Sequence, residues 1–169
     1  IPFSRSQTDY PEQLASQKKP WVLVSSPAFL SRLDPALAGS GCRLIFSSGG
    51  PLAYEDARQC AALLGPLPVE IYGSSETGGI GWRQSYAPEI PWTPFAGVTV
   101  SCDEEQTLLL CSPFMDEPEP WVGSDRIALC DDGGKGAAGR FHLLGRRDRI
   151  VKLEEKRISL DDIELRIKA

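Results

Sequence analysis

Residues 42–79 read CRLIFSSGGPLAYEDARQCAALLGPLPVEIYGSSETGG, and the reading of this stretch decides the fold. Cys42–Ser47 is an apolar-rich run of the length of a buried strand, and Ser48-Gly49-Gly50 is a turn. Pro51–Leu64 carries apolar residues at helical spacing and is closed by Gly65-Pro66, the punctuation that ends helices. A further apolar strand, Val69–Tyr72, runs into the polar, glycine-rich Gly73-Ser74-Ser75-Glu76-Thr77-Gly78-Gly79. Strand, helix and strand in that order predict an α/β fold, a parallel sheet with flanking helices.

The same pattern extends upstream. Trp21–Val24 reads as a strand feeding a helix, with Ser26 as N-cap and Pro27 at the first helical position, where its missing N–H costs nothing. Residues 1–20 are polar and carry no periodicity beyond a short helix at Pro11–Gln17, so they read as a surface connector. Downstream of about Trp82 the texture changes. Pro88, Pro91 and Pro94 are followed by short alternating runs, Gly97–Ser101, Thr107–Cys111, Arg126–Cys130 and Arg140–Leu144, with the turn DDGGKGAAG between the last two. These predict a small antiparallel β-subdomain, a sheet or barrel. A hairpin-like pair, Ile150–Leu153 and Lys156–Ile158, precedes Ser159-Leu160-Asp161-Asp162, which resembles a capping box opening a helix with Leu160, Ile163 and Ile167 on one face. The expected division is a connector at 1–20, an α/β part at 21–85, a β-barrel-like subdomain at 86–147, and at 148–169 a hinge with the truncated start of a C-terminal α+β domain. The chain opens without Met and stops inside that amphipathic pattern, so it is expected to be a piece of something longer.

Composition removes several classes of function. With 18 Lys+Arg against 23 Asp+Glu, the net charge of -5 lacks the basic excess that nucleic-acid binding needs, and no nucleic-acid partner is expected. No apolar run reaches the length of a membrane span, and the first residues form no signal peptide. The five cysteines (Cys42, Cys60, Cys102, Cys111, Cys130) are odd in number and form no C-x-x-C pair, which suits core thiols of a reducing compartment and a cytoplasmic protein. The single histidine, His142, excludes a multi-His zinc site and is the one base open to a Ser-His-Asp triad. A hydrolase using Ser74 or Ser75 would have to rely on it.

Open parallel sheets bind ligands beyond the carboxyl ends of their strands, and two Gly/Ser-rich loops are expected there. Ser47-Ser48-Gly49-Gly50-Pro51 lets backbone approach a flat ligand closely, because Gly49 and Gly50 have no side chain. Tyr72–Gly79 offers an aromatic face, hydroxyl donors and one carboxylate, enough for stacking, phosphate binding and cation coordination. Both stretches read equally well as plain turns. No phosphate loop of the G-x-x-x-x-G-K-[ST] or G-x-G-x-x-G type is present, and Gly133-Gly134-Lys135-Gly136 reads as a hairpin turn.

Tyr72-Gly73-Ser74-Ser75-Glu76 resembles the Tyr-Gly-x-Thr-Glu signature of the adenylate-forming superfamily, which includes acyl-CoA and aryl-CoA ligases, peptide-synthetase adenylation domains and firefly luciferase. Three further segments resemble that family in the right order. They are Ser48-Gly49-Gly50-Pro51-Leu52, a small-residue loop before a helix; Trp121-Val122-Gly123-Ser124-Asp125, at a strand start; and Gly145-Arg146-Arg147-Asp148-Arg149-Ile150-Val151-Lys152 at the junction of the large and small domains, completed by Asp162-Ile163-Glu164.

The resemblance implies an ATP-dependent ligase that activates a carboxylic acid as its acyl-adenylate, releases pyrophosphate, and passes the acyl group to CoA or to the phosphopantetheine of an acyl carrier protein. It places adenine between the backbone of Gly49, Gly50 and Pro51 and the ring of Tyr72, with Gly73 also at the nucleotide and Glu70 accepting from the exocyclic amine. Ser75 stands where Thr is usual and would bond the α-phosphate. Glu76 would hold Mg²⁺, making Ser75 and Glu76 the catalytic pair. Asp125 would bind both ribose hydroxyls, Arg146 the ribose or phosphate, Asp148 would be the hinge, and Lys152 would lie just beyond it. Gly123-Ser124 replaces the usual Thr-Gly, and Glu155 stands at a position usually held by Gly, where the pantetheine arm would pass. The phosphate-gripping loop and the adenylation lysine of the family match nothing in these 169 residues, so the isolated chain is expected to be inactive. A degenerate, non-catalytic adenylate-binding or scaffolding module is the alternative.

Overall fold

The computed structural model describes residue 16 and residues 19–115, 120–130, 139–146, 150–153 and 156–159, the last two spans as backbone. The chain divides into two compact units, one ending at Glu70 and rejoined by Gln84–Pro88, the other made of Ile71–Arg83 and the chain from Glu89 onward.

In the first unit, β1 (Trp21–Ser25) pairs in parallel with β2 (Cys42–Ser48). The crossover holds α1 (Pro27–Leu30) and a 3₁₀ turn at Pro35–Leu37, whose Asp34 carboxylate accepts from the Ala36 N–H at 2.8 Å. Ser26 does stand at the N-cap before Pro27, but its hydroxyl makes no capping bond. The second helix, α2 (Tyr54–Leu64), begins three residues later than the pattern predicts. Pro51–Ala53 stays outside the helix because Leu52 is drawn into the core and its N–H is taken by a side chain. Ala57, Cys60 and Leu64 form the buried stripe of α2, and Gly65, at φ +99°, closes it with its N–H on the Ala61 carbonyl. These residues pack with Leu30, Leu37, Cys42, Ile45 and Leu52 as the core of this unit.

β3 (Val69–Ser74) carries the chain from the first unit into the second, where β4 (Gly78–Arg83) and β5 (Thr93–Pro94) follow; β1 to β5 lie in chain order in one mixed sheet. A three-residue connection cannot return a strand in parallel, so β3 and β4 form a hairpin. The glycine-rich stretch 78–81 is therefore strand, its first two residues lying where loop was expected. Its glycines are needed by the neighbours: a Cβ on Gly81 would come within 2.8 Å of the Thr93 carbonyl oxygen, and one on Gly79 within 2.9 Å of the Phe95 ring. A second sheet, β6 (Thr99–Cys102), β7 (Thr107–Cys111), β8 (Trp121–Leu129) and β9 (Phe141–Arg146), is an antiparallel meander. Ile80, Trp92, Val98, Val100, Leu108, Leu110, Ile127 and Phe141 make the core of this unit.

β10 (Ile150–Leu153) and β11 (Lys156–Ser159) form the hairpin read from the sequence, with Lys152 opposite Arg157. The helix at Pro11–Gln17, the turn at Gly133–Gly136, Asp148, Glu155 and the capping box at 159–162 lie outside the described residues. No helix among the described residues is long and apolar enough to cross a membrane.

Candidate functional site

Tyr72, Asp125 and Arg146 come together in the second unit. The Tyr72 phenol donates to Asp125 Oδ2 at 2.5 Å, and its ring packs at a tilt against Trp92 (centroids 5.5 Å apart) and Phe141 (6.0 Å). Burial, then the charge of Asp125 and the bond to it, hold the phenol well above the ordinary tyrosine range, while the Arg146 guanidinium pulls the other way. The phenol is therefore a neutral donor. Trp92 is itself fixed, with two backbone bonds to Phe141 and the Arg83 guanidinium 4.5 Å from its ring centroid.

Strand irregularities bring these side chains to one place. Along β8, Arg126 faces Thr107 and Val122 faces Leu109, so Gly123, Ser124 and Asp125 together span a stretch in which β7 supplies Leu108 alone. Along β9, Ile127 faces Leu143 and Arg126 faces Gly145, leaving Leu144 as an extra residue. Such a bulge shifts the two-residue alternation by one. Phe141 and Leu143 pack on the core side, and in an unbroken alternation, with Leu144 paired in turn, Gly145 would follow them there. With Leu144 left out of the pairing, Arg146 takes that parity and stands opposite Asp125. Gly145 sits at φ +106°, which L side chains rarely adopt. The departure at Gly123 has a packing reason, because a Cβ there would lie 3.0 Å from the Trp121 ring and 3.2 Å from Leu108.

The β3–β4 turn presents Ser75 and Glu76, both exposed, at its tip. A knot of short-range bonds builds it. Thr77, which is buried, donates its hydroxyl to the Gly78 carbonyl at 3.1 Å and accepts from the Ser74 N–H at 3.3 Å, its oxygen lies 3.0 Å from the Ser74 hydroxyl, and its own N–H donates to Ser74 Oγ at 3.3 Å. Gly73 is obligatory, because a Cβ would fall 2.2 Å from the Gly78 carbonyl oxygen. The hydroxyl of Ser74 is thus engaged inside the turn. His142 follows Phe141 in β9, opposite Ala128, and adjacent strand residues face opposite ways, so its imidazole leaves the side on which Phe141 meets Tyr72. That placement gives the hydrolase reading no Ser–His pair.

In the first unit, Gly49 is exposed at φ +95°, Gly50 is half-buried and Pro51 exposed. Glu70 is 2% exposed, and its carboxylate accepts from Ser85 Oγ at 2.6 Å and from the Leu52 N–H at 3.4 Å. Ser85, Thr77, Trp92 and Phe141 went unmarked in the sequence. The three-residue spacing of Ser74 and Thr77 across a turn was the one local signal available.

No protein-family profile matches the chain. It is 36% identical over 114 residues to a 4-coumarate–CoA ligase of Cereibacter sphaeroides, a match covering 67% of this chain and 23% of that protein. Its fold is similar to that of the amide bond synthetase McbA from Marinactinospora thermotolerans, with a TM-score of 0.72 at 16% identity over 94% of this chain and 38% of that one. ATP-bound MatB from Rhodopseudomonas palustris gives a TM-score of 0.65 at 19% identity over 96% of this chain and 37% of that one. The chain therefore spans about a quarter of the length of the ligase and less than two fifths of the two structures. Four ordered sequence motifs, the relative among CoA ligases and a fold shared along nearly the whole chain place this protein in the adenylate-forming, or AMP-binding, superfamily.

Proposed function

We propose that this chain forms part of an ATP-dependent ligase that activates a carboxylic acid as acyl-adenylate and pyrophosphate, then transfers it to CoA or to a carrier-protein pantetheine. The observation that carries the reading is the Tyr72–Asp125–Arg146 constellation. An aromatic ring fixed by two neighbours, a half-exposed carboxylate and a guanidinium suit a base, a ribose diol and a phosphate respectively. Asp125 accepts from the ribose hydroxyls through the lone pairs that the Tyr72 phenol leaves open, and Arg146 meets the ribose or the phosphate. The Gly49-Gly50-Pro51 backbone keeps the adenine-facing role that the resemblance gives it.

At the hairpin tip, Ser75 donates to the α-phosphate. Among the described residues no group of three carboxylate, cysteine or histidine side chains could hold a metal ion. A single carboxylate at an exposed turn still suits Mg²⁺, which takes one or two carboxylates and fills its shell with phosphate oxygens and water. Glu76 would hold that ion, which when bound supplies charge neutralisation at the phosphates. Asp148 and Lys152 keep the hinge and post-hinge roles that the resemblance gives them, and the 169 residues alone bind nucleotide without completing adenylation.

Titration of the chain with AMP, followed by calorimetry or amide chemical shifts, tests the reading. Saturable binding weakened roughly tenfold or more by Asp125→Asn is the expected result, since hydrogen bonds to a charged acceptor are worth about 1.5–3 kcal/mol. Absence of AMP binding would favour a scaffolding role, and ATP–pyrophosphate exchange by the isolated chain would overturn its assignment as inactive.

A further inference from the structure

A buried carboxylate needs an account, because taking a charge out of water costs several kcal/mol unless donors replace the solvent. Glu70 is such a group. Two donors to it come from separate segments of its own unit: the Ser85 hydroxyl at 2.6 Å and the Leu52 amide at 3.4 Å. Ser85 is 5% exposed and Leu52 4%. The segment bearing Ser85 is sewn to the chain before β3 a second time, by Gln84 Nε2 donating to the Leu67 carbonyl at 3.0 Å. Leu52, in turn, ends the Gly49-Gly50-Pro51 loop. The helix that follows has Ala53 as its N-cap with no side-chain cap bond, so the Leu52 side chain in the core and its N–H on Glu70 are what fasten the loop at that end.

We infer that Glu70 is a positioning residue, locked by Ser85, that fixes the Gly49–Leu52 loop, and that its carboxylate does not read the exocyclic amine of a bound base. The inference rests on the reading that this loop meets adenine. Glu70→Met is an informative change: it keeps the length of the side chain and removes both acceptors, leaving the Leu52 N–H and the Ser85 hydroxyl without the carboxylate, whereas a Gln could satisfy both by turning its oxygen to Leu52 and its N–H₂ to Ser85 Oγ. Ser85→Ala removes the lock from the other side, and Ser85→Thr restores a hydroxyl.

The test compares AMP with IMP, which lacks the exocyclic amine, on the parent chain and the three variants, together with hydrogen exchange at the Leu52 amide. Glu70→Met and Ser85→Ala are expected to weaken AMP and IMP by the same factor, about three- to tenfold, with the AMP:IMP ratio unchanged, and to speed Leu52 exchange about tenfold or more. Ser85→Thr should restore both. A tenfold change in the AMP:IMP ratio confined to Glu70→Met would show the carboxylate reading the base and overturn the inference. Unchanged Leu52 exchange in Glu70→Met and Ser85→Ala would overturn it as well, whatever the nucleotides do. Failure of the parent to bind either nucleotide, with Leu52 exchange accelerated as expected, would remove the adenylate reading while leaving the clamp in place.

Discussion

Replacing Tyr72 by Phe isolates a single interaction. The ring and its contacts with Trp92 and Phe141 survive, and the lost group is the phenol that donates to Asp125 at 2.5 Å. A hydrogen bond to a charged acceptor is worth about 1.5–3 kcal/mol. Asp125 is half-exposed, so water recovers part of that, and the expected cost lies at the lower end, about 1.5 kcal/mol. Urea denaturation of the parent, Tyr72→Phe, Asp125→Asn and the double variant measures it, and the double variant should be less destabilised than the sum of the singles by about 1 kcal/mol. The pH dependence supplies an independent limb. Above the ordinary tyrosine value of 10.0 the unfolded chain releases the Tyr72 proton while the folded chain keeps it. The folded state then holds more protons, so parent stability should fall as pH rises past that value, more steeply than that of Tyr72→Phe. A cost below about 0.5 kcal/mol, additive single changes, and parallel alkaline limbs would together refute the account of this bond.

Three other outcomes follow from the same structure. Gly73→Ala drives a Cβ to 2.2 Å from a backbone oxygen, and should cost about 3 kcal/mol in urea midpoint analysis, more than Gly81→Ala with its 2.8 Å approach. Gly145→Ala forces an L residue to φ +106° and should cost about 1–3 kcal/mol, while weakening AMP in calorimetry through the misplaced Arg146. Burial, aided by the charge of Asp56, pushes the Cys60 thiol up to about 11, so mass-resolved alkylation at pH 8 should label exposed Cys111 first and Cys60 last.

The strand and helix pattern of the first unit was legible because Cys42–Ser48 and the 57, 60, 64 stripe of α2 express their burial directly as apolar residues. The helix start was misjudged by three residues, because tertiary contacts at Leu52 outweigh the preference of Pro for a first helical turn. Gly78–Arg83 was invisible as a strand for a different reason. Glycines record the close approach of Thr93 and Phe95, not an alternation of their own. At the site, Asp125 and Arg146 were found through the family resemblance, while no periodicity could show that they face one another, since an inserted residue breaks the period on which such reading depends. Ser85 reads as an ordinary polar residue until its partner Glu70 is found buried beside it.

The extra residue in β9 turns chain length itself into chemistry. Loss of the single codon for Leu144, an exposed residue, would leave Leu143, Gly145 and Arg146 as a regular ladder against Ile127, Arg126 and Asp125, whereas one residue gained between Leu144 and Arg146 and taken into the ladder would carry the Arg146 guanidinium to the far side of the sheet from Asp125. Insertion and deletion scanning across residues 143–146 should therefore expose a sensitivity that substitution scanning at Leu144 passes over, and comparison of this segment with relatives must count residues as well as match them.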